Sequence, residues 1–433
     1  MRGRWNEDIS RRALLGLGVS GAALLAMPGF ARRAARAQAA NPHLLVTFFG
    51  DGGWDVTQVF DVHDPLDATD GVDVDVPQAI SGLPPSQIAT AGGITYVSNP
   101  TTRPAADAFF ARWGARTAIV NGINTRSTSH DQSRQLVLTG YLDPTRADFA
   151  IMAAHKNGAD MPLPHLLLSG PSFGGPFAGL SGRVGGQLGR ALAYNRIPSH
   201  TTPDSSQLAV SALGEAYVQQ ALESQRLLDR DGALAGKVAQ FQEANVRGDK
   251  LVRLASSLPR NSNDGAQLAT AIGAAFRAGL TTSITVENVG GFDTHNDNTQ
   301  QNARWEELFT FLDQFVGGLA AQPGVASATL LDETTIVYCS EFARTPELNG
   351  DNGKDHHPFT SMLFVGKGVR GGTTVGMTDR DQEGVKVSFT TGLPDDTGQV
   401  IDVQNVVAGV LTLAGANAAD YLPSVRPFTA MIA

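Results

Sequence analysis

The chain has nine histidines in 433 residues, and several of them stand beside carboxylates in short polar segments. The stretch GGFDTH, Gly290 to His295, sets an Asp and a His two apart directly after a run of β-formers, TTSITVEN. An Asp in that place can simply cap the helix that follows. Four other segments carry related chemistry: Asp51 in DGGWD, His130 in STSHDQS, Glu341 in SEFART, and Asp355, His356 and His357 in NGDNGKDHHPF. Carboxylate oxygen together with neutral imidazole suits Zn²⁺ or Mn²⁺, whereas an all-oxygen set suits Mg²⁺ or Ca²⁺. A hydrolytic cation needs firm ligands and an open position, and two cations about 4 Å apart can clamp both oxygens of an in-line displacement. The candidate ligands are Asp51, Asp293, His295, Glu341, Asp355 and His356, with Asp55 in reserve, enough for one divalent ion or two. His130 is a ligand, a general acid for a leaving group, or a loop histidine bonded to a carbonyl. Arg344, three residues past Glu341, either binds a substrate oxyanion in bidentate fashion or bridges to Glu341 or Asp355. His43, His63, His155, His165 and His200 occur singly outside these segments and receive no role.

Such a site needs elements that bring distant segments to one edge. HLLVTFFG, from His43 to Gly50, is a continuous apolar run ending in a glycine-rich turn, the pattern of a strand buried on both faces in a parallel sheet. Further strands are expected in RTAIVNGI, PLPHLLLSG, TTSITVEN, TTIVYCSE and TSMLFVGKG, with a helix in PAADAFFARWGA between the first two. That alternation predicts an α/β fold with a doubly wound, mostly parallel sheet flanked by helices. In such sheets ligands bind beyond the carboxyl ends of the strands, where the candidate residues fall. NTQQNARWEELFTFLDQFVGGL spaces Trp305, Leu308, Phe309, Leu312, Phe315, Val316 and Leu319 by threes and fours, an amphipathic helix whose stripe is core. From about Ser206 to Arg277 the texture turns to Ala, Gln, Leu, Glu and Arg without a β-like run. A helical insertion of two or three helices, overhanging the site as a lid, is expected there. The Asp-, Pro- and Gly-rich stretch from Asp61 to Pro104 reads as a solvated loop. Its DATDGVDVDVP lacks the glycine and terminal Glu of a calcium-binding helix–loop–helix.

The N-terminus reads as an export signal. Arg11-Arg12 precede an apolar segment of about 18 residues, and ARA at Ala35 to Ala37 offers a small-x-small cleavage site, which predicts a twin-arginine signal over residues 1–37. Gly, Ser and Pro dilute the apolar run, against a membrane helix, and the protein is expected to be periplasmic or secreted with no stable membrane span. The twin-arginine route carries folded proteins, often because a cofactor is loaded first. Residues 1–37 hold seven of the 33 Lys and Arg but two of the 42 Asp and Glu, so the mature chain carries 26 cationic against 40 anionic groups. An acidic protein of this kind is a poor nucleic-acid binder. The single cysteine, Cys339, has no internal disulfide partner and sits in an apolar strand pattern.

The ordered set of twin-arginine signal, glycine-rich turn, STSHDQS, GGFDTH, SEFART and GKDHH resembles the family catalogued as domain of unknown function 1501. That resemblance runs from about Leu44 to Leu422, and the family's sequences place it in the alkaline phosphatase and sulfatase superfamily. The resemblance implies an alkaline phosphatase-like domain over residues 38–433 with the helical insertion inside it. It implies a metal-binding Asp51 after the first strand, an Asp and His pair approximated by Asp293 and His295, and a last His matched by His356. Where an Asp-His pair is expected, Glu341 is followed by Phe342, which removes one imidazole; His357 and Asp297 are the possible substitutes. A hydroxyl nucleophile at a helix start is implied, for which Ser127, Thr128 and Ser129 qualify and Ser129 is preferred. The expected activity is metal-dependent hydrolysis of a small phosphate, sulfate or related anionic ester. The alternative is a non-catalytic periplasmic or surface protein that binds or assembles while keeping the fold and one metal.

Overall fold

The computed structural model describes residues 42–63, 86–159, 161, 163–183, 220–221, 223–224 and 263–433. The chain divides into two compact units, Met1–Ala40 with Gly186–Leu258 and Asn41–Gly185 with Pro259–Ala433. All but four of the described residues belong to the second unit. The expected signal segment, the acidic DATDGVDVDVP run, His200 and most of the expected helical insertion, with its role as a lid, lie outside the described residues.

The second unit is built on one nine-stranded, mostly parallel sheet in the order β12-β4-β11-β8-β1-β7-β5-β6, with β13 also paired to β4. The strands are β1 (Leu44–Phe49), β4 (Thr117–Asn124), β5 (His165–Leu167), β6 (Ser181–Arg183), β7 (Ser283–Glu287), β8 (Thr334–Cys339), β11 (Phe359–Gly366), β12 (Thr373–Val375) and β13 (Ile401–Asp402). β1 lies between parallel neighbours, with Phe49 beside Glu287 of β7 and Cys339 of β8. Every residue of β1 is buried, as its unbroken apolar run requires.

β11 departs from the expected parallel direction and runs antiparallel to both β4 and β8. The cause is local: β8 reaches β11 through a loop that holds only the short hairpin of β9 (Ala343–Arg344) and β10 (His356–His357). A parallel return needs a crossover of a dozen or more residues, usually helical, whereas a looped return gives an antiparallel neighbour. This reversal brings the start of β11 to the edge where β1, β4, β7 and β8 end.

Helices cover both faces. Phe48 of β1 meets Phe311 and Phe315 of α5 (Gln300–Ala320) edge-on at 5.1 and 4.9 Å. On the other face Phe49 shares a cluster with Leu136 of α2 (His130–Thr139), Phe149 of α3 (Phe149–Gly158) and Val406 of α6 (Val403–Leu413). α1 (Pro104–Trp113) begins with Pro at its first turn, where a missing N–H costs nothing. α4 (Gly265–Arg277) corrects the expected insertion boundary. Its buried stripe of Leu268, Ala269, Ile272 and Phe276 makes it part of the sheet unit, which resumes at Pro259. The expected solvated loop is corrected too, since β2 (Gln87–Ala91) and β3 (Ile94–Ser98) pair there as a hairpin. Gly92 and Gly93, with φ of 57° and 87°, turn it in the handedness that two-residue hairpin loops require. No helix among the described residues is long and apolar enough to cross a membrane.

Candidate metal centre

Three histidines from three separate segments turn one ring nitrogen toward Asp293. His130 opens α2, His295 follows β7 and His356 lies in β10 opposite Arg344 of β9. His130 Nε2 is 3.6 Å from Asp293 Oδ2, His356 Nε2 is 3.6 Å from Asp293 Oδ1, and His295 Nε2 is 3.1 Å from the same oxygen. His295 Nε2 and His356 Nε2 are 2.9 Å apart. Among the described residues, His130, Asp293 and His356 are the group of His, Cys, Asp or Glu whose ligand atoms all fall within 4.8 Å of one another.

The opposite ring nitrogens are each tied to an acceptor. His130 Nδ1 bonds Glu341 Oε1 at 2.8 Å, His295 Nδ1 bonds Asp355 Oδ1 at 3.0 Å, and His356 Nδ1 bonds the Thr128 carbonyl at 2.7 Å. An acceptor at Nδ1 fixes the proton there and leaves the Nε2 lone pair directed into the site, which is how metal-ligating histidines are oriented. Two unprotonated nitrogens 2.9 Å apart repel unless a proton or a cation lies between them. Four donors bound to a tetrahedral cation at about 2.0–2.1 Å lie roughly 3.3 Å apart. The spacings of the three imidazoles from Asp293 and of His295 from His356, 2.9 to 3.6 Å, bracket that value, and a mix of imidazole and carboxylate is the donor chemistry that suits Zn²⁺ or Mn²⁺.

Neighbouring loops hold these groups in place. Thr125 donates its backbone N–H to the Pro358 carbonyl at 2.8 Å, joining the His130 loop to the His356 loop. Asn349 Nδ2 donates to the His295 carbonyl at 2.9 Å and to Asp355 Oδ1 at 3.2 Å. Val289, with φ of 47°, adopts a conformation rare for a β-branched residue as the chain leaves β7. Gly53 is a site where only glycine fits, because a Cβ there would stand 2.3 Å from the Phe342 ring. That ring lies 4.8 Å from His130 and 4.3 Å from His356, a buried floor beneath both imidazoles.

Charge reinforces the arrangement. Burial raises the Glu341 carboxyl, but hydrogen bonds from His130, the Gly52 N–H and Ser340 outweigh it and hold the group below the usual range. Burial likewise opposes ionisation of Asp293, and Arg344 with His130 and His295 overcomes it. Asp355 is lowered by its hydrogen bonds from His295 and Asn349. His130 is raised, chiefly by its bond to Glu341. His356 is lowered, chiefly by burial and then by Arg344, His130 and His295, against the Thr128 carbonyl. All three carboxylates are thus anions at neutral pH.

The structure redistributes the expected roles. Asp293, His295 and His356, three of the expected ligands, lie together, and His130 lies beside them. Glu341 and Asp355, expected as ligands, instead occupy the Nδ1 sides of His130 and His295. Asp51, also expected as a ligand, is in contact with Arg134 Nη2. Asp55 is fully buried, paired with Lys354 at 3.0 Å and capping a short helical turn through Thr57. Arg344, expected either at the substrate or as a bridge, is fully buried. It donates to the carbonyls of Gly52, Gly53 and Lys354 and to Asp293 Oδ1, the last at 2.6 Å. Its side chain has no solvent-exposed surface. Asp297 bonds the Thr299 N–H at 2.9 Å as a local turn-former, and His357 Nε2 lies 3.1 Å from the Gln382 carbonyl, so neither replaces the imidazole missing at Phe342. Ser129 is exposed, and as N-cap of α2 it makes no side-chain capping bond. Arg134 and the Thr128 carbonyl had no assigned part. Arg134 was detectable, because position i+4 from His130 on a helix shares its face.

A solved structure from Bacteroides thetaiotaomicron, titled for the metabolism of multiple glycosaminoglycans orchestrated by a versatile core genetic locus, is similar over 90% of this chain and 76% of its own. The identity is 9% and the TM-score 0.35, a level that decides nothing about chemistry. No curated protein matches the chain in sequence. Residues 260–391, which carry Asp293, His295, Glu341, Asp355 and His356, match the model of a family described as a protein of unknown function, DUF1501.

Proposed function

We propose that the protein is an exported, metal-dependent hydrolase of a small phosphate, sulfate or related anionic ester, on a doubly wound, alkaline phosphatase-like sheet. The observation that carries this reading is the convergence of His130, His295 and His356 on Asp293 with every Nδ1 anchored. His130, Asp293, His295 and His356 would hold one divalent cation, Zn²⁺ or Mn²⁺ before Ca²⁺ or Mg²⁺. A cation held there would supply Lewis acidity to an ester oxygen. The side chains of Asp293 and His295 are 47% and 40% exposed, which leaves an approach from solvent. Ser129, uncommitted at the positive end of a ten-residue helix, is the candidate nucleophile. Arg344 acts as a positioning residue that fixes the Asp293 carboxylate.

A non-catalytic binding or assembly protein is the second reading, and Phe342 favours it by filling with a buried ring the place where a further imidazole is expected. One experiment separates the two. Purified protein is expected to carry one equivalent of zinc or manganese by mass spectrometry of the elements, lost together from the double variant Asp293→Ala/His356→Ala. Metal with turnover of p-nitrophenyl phosphate or sulfate supports the hydrolase, and metal without turnover of either supports the second reading. Absence of metal, or its retention by the double variant, overturns the site.

A further inference from the structure

Arg134 lies one helical turn beyond His130 on α2, with its side chain 29% exposed. Its Nη2 touches Asp51 Oδ1 and stands 3.8 Å from Glu341 Oε1, and its Nη1 is 3.5 Å from Asp131 Oδ1. Glu341 is fully buried, and its Oε1 also accepts from His130 Nδ1 and from the Gly52 N–H at 2.9 Å, while its Oε2 accepts from Ser340 at 2.9 Å. Its Oε1 therefore already serves His130 and the Gly52 N–H where it meets the Arg134 guanidinium. Two carboxylates from the ends of β1 and β8 share one guanidinium nitrogen, where a bridging ion would otherwise balance their charge. Among the described residues, the ligand-spaced group of His and carboxylates is the one around Asp293.

We infer that Arg134 is the resident second cation of the site: its guanidinium holds the Asp51 and Glu341 pair and restricts the centre to one metal ion. The inference rests on the metal-centre reading above. A fixed guanidinium differs from a metal in offering directional N–H donors and no exchangeable coordination position. An incoming anion would therefore meet one metal and one hydrogen-bonding cation.

The test counts metal. Protein is equilibrated with excess Zn²⁺ or Mn²⁺, desalted and analysed for elements, as wild type and as Arg134→Ala, Arg134→Lys and Asp51→Asn. The expected content is one equivalent for wild type, Arg134→Lys and Asp51→Asn, and close to two for Arg134→Ala, where the freed carboxylates admit a second ion. Two equivalents in wild type overturn the inference, as does loss of the single equivalent in Asp51→Asn. One equivalent in both wild type and Arg134→Ala overturns it while leaving the metal centre standing, whereas none in wild type overturns both. Should Arg134→Ala fail to fold, Arg134→Gln removes the charge with less loss of packing and carries the same expectation of two.

Discussion

Asp293 is held by a guanidinium that solvent does not reach. Arg344 spends its donors on three backbone carbonyls and one carboxylate oxygen, so it fixes both the loop after β1 and the direction in which Asp293 points. Lysine keeps the charge but cannot reproduce that fork. Arg344→Lys is expected to weaken metal affinity by about 10–100-fold, the range for lost outer-shell partners, measured by competition with a chromophoric chelator. An unchanged affinity would return Arg344 to a purely structural bridge. At this scale the sequence showed which residue types gather but not which atom each one offers. Glu341 and His356 lie in equally polar segments. Yet one carboxylate ends behind an imidazole while one imidazole ends in front, because the choice depends on how β8 and β10 approach in space. Arg344 carried two readings in SEFART, and its partners, Asp293 and three backbone carbonyls, are not the Glu341 or Asp355 of the expected bridge.

Elements were more legible than atoms. The stripe of Trp305, Leu308, Phe309, Leu312, Phe315, Val316 and Leu319 is buried along α5 as its spacing requires. Trp305 stacks on Trp54 at 5.3 Å and meets Phe60 at 4.9 Å and Phe292 at 5.4 Å. Trp305→Ala is therefore expected to cost about 3–5 kcal/mol in chemical denaturation while leaving metal content unchanged. Loss of the metal in a folded Trp305→Ala protein would mean that this core also sets the ligand geometry. The direction of β11 was not legible, since a buried run such as FTSMLFVG reads alike in either sense. The Ser206–Arg277 texture likewise gave helix without saying which helix belongs to which unit, because helical periodicity does not name the surface it buries against.

Across the whole unit, two histidines outside the site couple the fold to pH. His165 is buried in β5 and its value is pushed down to about 3 by burial. His43, just before β1, is lowered to about 4 by burial and by Lys367. Both folded values lie below the ordinary 6.5, so below that pH the unfolded chain binds protons that the fold refuses. Stability is then complete above pH 6.5 and falls as pH drops toward 4, by about 1.4 kcal/mol per unit for each histidine. Urea midpoints between pH 7.5 and 4.5 should show this decline, and His165→Gln should reduce its slope. A slope unchanged by His165→Gln would assign the acid sensitivity elsewhere. Neither role was visible in the sequence, where a lone histidine carries no mark of its burial.

The bond from His356 to the Thr128 carbonyl spans 228 residues, and that from His130 to Glu341 spans 211. No local segment contains a complete set of donors, so the unfolded chain has no strong chelating site to capture a cation early. The ends of β1, β4, β7 and β8 must already be in register before the imidazoles meet, and pairings of such long sequence separation form slowly. On the proposed metal-centre reading, cation capture would therefore be a late event in the folding of this chain.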